Sequence, residues 1–204
     1  MSELHKALGD ISSIRRQMAA STQFRGYGPA TLALTGVIAM AAAGVQSAWL
    51  HNPASHMRAY LGIWLATAVL GAAVAGVQVY TRTRRIHSGL SDEMIRTAVE
   101  QFLPAVAAGF LLTAALTLYV PDAVWMLPGL WQVIFSLGVF SSCRFLPRPM
   151  YLAGAWYLGT GLTCIAFGDG RALSPWTMGL AFGAGQLLVA GILFVATPEG
   201  SDED

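Results

Sequence analysis

Six stretches of about twenty residues each run through this chain without one charged side chain. They are Pro29–Leu50, Ala59–Tyr80, Phe102–Val120, Ala123–Cys143, Pro149–Gly168 and Pro175–Thr197. About 20 helical residues cover the apolar core of a bilayer, so each stretch is long enough to cross it once. A lipid-exposed backbone must satisfy its own polar groups, which leaves helices as the spanning form for runs of this length. The expected fold is therefore all-α: a polytopic membrane protein of six transmembrane helices. Composition agrees, because charged residues make up 11% of the 204 residues, against roughly 25% in soluble domains. A net charge of +1 gives no bulk attraction to nucleic acid.

The placement of basic residues predicts orientation. Lys6, Arg15, Arg16 and Arg25 precede the first stretch; Arg82, Arg84, Arg85 and Arg96 lie between the second and third; Arg144 and Arg148 lie between the fourth and fifth. A six-pass path puts these on one side and leaves Arg58 and Arg171 on the other, so both termini are expected in the cytoplasm. The first 25 residues are too polar for a cleavable signal peptide, and the first helix is expected to lead insertion. Residues 1–28 form a cytoplasmic segment, 29–197 the bundle and 198–204 an acidic cytoplasmic tail.

Leu4, Leu8, Ile11, Ile14 and Met18 recur at helical spacing, opposite Lys6, Asp10, Ser13 and Gln17. That pattern predicts an N-terminal amphipathic helix, able to lie on lipid or to dock a cytoplasmic protein or a second copy of the chain. The docking residues would be Leu8, Ile11, Ile14, Arg15, Arg16 and Met18. Ser91, Asp92 and Glu93 read as a helix start ahead of the third span, with Arg96 and Glu100 spaced to pair and Pro104 placed to kink the helix.

A threefold hairpin repeat is hinted at by Gly62-Ile63-Trp64, Gly129-Leu130-Trp131 and Gly179-Leu180-Ala181 on the even-numbered helices. Small-residue pairs at four-residue spacing predict close helix packing: Gly179 with Gly183, Ala105 with Gly109, Gly71 with Ala75. Such faces serve either the bundle or a homo-oligomer. Trp49, Tyr60, Trp64, Trp125, Trp131 and Trp176 gather at the outer span ends, as an interfacial belt does.

Chemistry is sparse. No acid, lysine or arginine lies inside a span, so the usual marks of an ion or proton path are missing. No metalloprotease, phosphate-loop or nucleophile motif occurs, and nothing points to an enzyme, a cofactor or a resident metal. His51 and His56 share an outer loop whose composition is that of an ordinary turn, and Cys143 and Cys164 read as unpaired apolar fillers. The strongest polar groups within spans are Gln46, Gln78, Gln132 and Gln186. Gln132 and Gln186 either bond between helices or line a polar cavity. Two functions follow: a non-enzymatic structural, sensory or regulatory membrane protein, or a small transporter or channel for a neutral or hydrophobic solute.

The segments Ile11-Ser-Ser-Ile-Arg15-Arg16-Gln-Met18 and Phe24-Arg-Gly-Tyr-Gly-Pro29 resemble those of small uncharacterised bacterial six-helix inner-membrane proteins. The resemblance covers less than a sixth of the chain. It implies a bacterial cytoplasmic membrane and no function.

Overall fold

Every expected span forms a helix. The computed structural model describes residues 28–85, 89–143, 146–168 and 170–196. In order these make α1 (Pro29–Trp49), α2 (Met57–Arg85), α3 (Gly89–Tyr119), a 3-10 turn (Pro121–Met126), α4 (Leu127–Ser142), α5 (Met150–Ala166), a second 3-10 turn (Gly170–Leu173) and α6 (Pro175–Ala196). Five stretches, Pro29–Trp49, Met57–Gln78, Glu100–Tyr119, Pro121–Ser142 and Pro175–Ala196, are long and apolar enough to cross a membrane. The sixth helix, α5, has 17 residues.

Proline sets several helix starts: Pro29, Pro121, Pro128 and Pro175 all lie in first turns, where a missing N–H costs nothing. After α5, Gly168 takes a φ of 55°, a left-handed conformation that glycine adopts without strain. Two boundaries differ from expectation. α3 reaches back to Gly89, so Ser91 is not its cap; capping preference fixes a start only to within a residue or two. The fourth span opens as a 3-10 turn rather than as α-helix. Helix α3 is uninterrupted at Pro104.

The helices neighbour one another in the order α2, α1, α6, α5, α4, α3. α1 packs along α6 and α4 along α5, the two most extensive contacts. α2 and α3 stand at the ends of this row and touch little among the described residues, although residues 86–88 alone separate them. The connections after α1, α3 and α5 share one end of the bundle, called here the upper end, where the two 3-10 turns meet.

The centre is aromatic. Phe135 meets Phe102, Tyr157 and Phe182 edge-on, with centroids 5.3, 4.7 and 5.3 Å apart. Edge-to-face geometry lets the positive ring edge meet a negative face. Around it Leu32, Val139, Met150, Ala153 and Leu193 fill the lower half. Ala43, Tyr60, Trp64, Leu173 and Met178 fill the upper half.

Small residues pack as the spacing of Gly179 and Gly183 predicts. A Cβ on Gly179 would collide with Ala43, one on Gly183 with Met40, and one on Gly185 with the Tyr157 ring. The other two pairs do not act this way. A Cβ on Gly109 would meet nothing within 4 Å among the described residues, and one on Gly71 would meet only Thr35, at 3.9 Å.

Candidate functional site

The residues with the most chemistry to offer are the polar groups inside this apolar bundle. A buried amide without partners is costly, so where each one bonds says what it is for. Gln46 is fully buried on α1, with both ends of its amide used. Its Nε2 donates to the Leu173 carbonyl at 2.7 Å, and its Oε1 accepts from the Trp64 indole at 2.7 Å. One side chain thereby ties α1 to α2 and to the second 3-10 turn.

Gln132 is also fully buried. Its Nε2 donates to the Thr177 carbonyl at 3.2 Å and lies 3.8 Å from Met178 Sδ, joining α4 to the first turn of α6. Its Oε1 has no partner among the described residues. Gln186 is half-buried on α6. Its Cβ stands 3.1 Å from where a Cβ on Gly36 would be, against the α1 backbone. The two glutamines are therefore not brought together: each flanks a different helix pair. Gln78 accepts from the Gly28 N–H at 3.1 Å and holds the start of α1 to α2.

Three tryptophans do similar work. Trp64 of α2 donates to Gln46, Trp131 of α4 donates to Thr113 Oγ1 of α3 at 2.8 Å, and Trp156 of α5 donates to the Ala181 carbonyl of α6 at 2.9 Å. Each bond closes one consecutive helix pair. The expected aromatic belt is corrected in part: Trp49 is 82% exposed, but Tyr60 and Trp64 are buried because they face α1. Tyr157, too, is buried within the bundle. Hydropathy alone could not separate these from surface aromatics; a polar partner one helix away decides it.

Other candidates stay apart. His51 and His56 are exposed in the upper connection after α1, with His56 Nδ1 3.3 Å from the Asn52 carbonyl oxygen. Among the described residues no three His, Cys, Asp or Glu side chains gather in a metal-binding group. Cys143 and Cys164 are both buried and free. A shallow groove of about 440 Å³ at the upper end is lined by Phe167, Arg171, Ser174, Trp176, Thr177 and Leu180. Residues Leu8, Ile11, Ile14, Arg15, Arg16 and Met18 lie outside the described residues, as do the acidic tail and the Ser91 and Arg96 side chains. Compared with known families, curated proteins and solved structures, the chain matches none.

The arrangement is a set of staples. Gln46, Gln78, Gln132 and three tryptophans each bond to a neighbouring helix or turn, and the threonines and serines bond mostly to their own helix backbone, while the buried hydroxyls of Tyr60 and Tyr157 have no partner among the described residues. Chemically it can hold helices in register.

Proposed function

We propose that this chain is a multi-pass integral protein of a bacterial cytoplasmic membrane, with both termini in the cytoplasm and a non-enzymatic structural, sensory or regulatory role. The observation carrying this reading is Gln46: fully buried, it has both ends of its amide bonded, to the Leu173 carbonyl and to the Trp64 indole. A glutamine used as interhelical glue supports a packed scaffold over a solute path, since a cavity lining would leave the amide open to its ligand. The ten basic residues assigned to one side support the orientation.

A packed scaffold acts through its exposed parts. The N-terminal segment, with Leu8, Ile11, Ile14, Arg15, Arg16 and Met18, is the part suited to contact anionic lipid or a cytoplasmic protein. The test is native mass spectrometry of the protein extracted in nanodiscs from its own membrane. A bound cytoplasmic protein, lost on Ile11→Asp with Ile14→Asp and kept on Gln132→Leu with Gln186→Leu, is the expected result. A bound small solute, lost in the glutamine double variant, would overturn the proposal in favour of transport.

A further inference from the structure

The second 3-10 turn is held from three helices. Ala172 and Leu173 are buried. The Leu173 carbonyl accepts from Gln46 of α1 at 2.7 Å, and the Ala172 carbonyl accepts from Thr177 Oγ1 of α6 at 2.8 Å and from Cys164 Sγ of α5 at 3.6 Å. Arg171, next to them, is exposed, and its Nη2 donates to the Phe167 carbonyl at the end of α5 at 2.8 Å. A guanidinium carries five N–H donors in a planar fork, so it can keep its bonds to the chain and still meet an anion.

Arg171 lines the upper groove of about 440 Å³, a volume within the roughly 300–1,000 Å³ of small-ligand sites. The lining is ordered by depth. Arg171 and Ser174 belong to the connection, Trp176 to the first turn of α6, and Leu180 stands one turn further along that helix. Phe167, at the end of α5, lines the groove with them. Phe167, Trp176 and Leu180 are 42%, 47% and 53% exposed, so the groove offers apolar walls beneath a cationic rim. In the six-pass arrangement this end of the bundle meets a headgroup layer, the level at which tryptophan and arginine are favoured.

We propose that this groove seats one glycerophospholipid, with its phosphate on Arg171 and the start of its acyl chains along Trp176 and Leu180. The assignment rests on the membrane reading above. A planar guanidinium matches a phosphate with two parallel hydrogen bonds, and the charges are complementary. The apolar walls select a lipid over a free phosphate, which has nothing to lay against Phe167 and Leu180. Because Gln46, Cys164 and Thr177 already hold the turn that carries Arg171, little order has to be gained when the lipid binds.

Native mass spectrometry of the full chain tests it, with the chain released from detergent micelles carrying either phosphatidylglycerol or diacylglycerol of the same acyl chains. One phosphatidylglycerol per chain is expected to persist where diacylglycerol is lost. Its Kd should rise about tenfold on Arg171→Gln, the loss of one charge-assisted contact. Ser174→Asp, which sets a negative charge beside the phosphate while leaving Arg171 in place, should weaken binding as well. Arg58→Gln, exposed at the same end on α2 but outside the groove, should leave the Kd unchanged. Equal retention of the two lipids, a Kd unmoved by both groove variants, or displacement by millimolar glycerol 3-phosphate would overturn the proposal. A chain that fails to enter phosphatidylglycerol vesicles on reconstitution would overturn the membrane reading along with it.

Discussion

Gln46 shows how much a single residue can hold in this bundle. Its two hydrogen bonds satisfy a carbonyl and an indole N–H that have no other partner among the described residues. Leucine there would orphan both, at about 1–3 kcal/mol each. Gln132→Leu removes one bond from Nε2 together with an oxygen that has no partner among the described residues, so its cost should be about 1 kcal/mol. Thermal unfolding in detergent should therefore rank Gln46→Leu well below Gln132→Leu; equal midpoints would contradict the staple. The sequence displays both glutamines as isolated polar residues in apolar runs. It cannot display that Gln46 finds its acceptor 127 residues away, because that pairing exists only once α1 and the second 3-10 turn are packed together.

At the level of helices, the small residues divide by what faces them. Gly161→Val would force a side chain into the Gly129 carbonyl and Val133, at an overpacking cost of about 1–3 kcal/mol and with α4 and α5 driven apart. Gly62→Ala meets open space, and alanine should raise stability by about 0.5–1 kcal/mol through helix propensity. Denaturant titration of the two variants reads both signs, and a destabilised Gly62→Ala would contradict the open surroundings of Gly62. The spacing of Gly71 with Ala75 and of Ala105 with Gly109 looks the same in sequence as that of Gly179 with Gly183. Only the last pair packs, since spacing records which residues are small and not which helix lies opposite. The six helices, by contrast, follow from runs of hydropathy, a local property, whereas limits such as the start of α3 at Gly89 do not.

For the whole molecule the claim that matters most is that all six helices cross a bilayer in alternating directions. α5 is the critical element: 17 residues rise about 25 Å, short of the roughly 30 Å apolar core, so a crossing there would also need Pro147–Pro149 and Phe167–Gly168. Labelling of single cysteines by a membrane-impermeant maleimide in intact cells, in the Cys143→Ala, Cys164→Ala chain, reads the path directly. Asn52→Cys, Asp122→Cys and Gly170→Cys should label from outside, while Ser88→Cys, Leu146→Cys and Ser201→Cys should label only after the cells are opened. Leu146→Cys and Gly170→Cys reacting from the same side would show that α5 does not cross, and the six-pass account would fail.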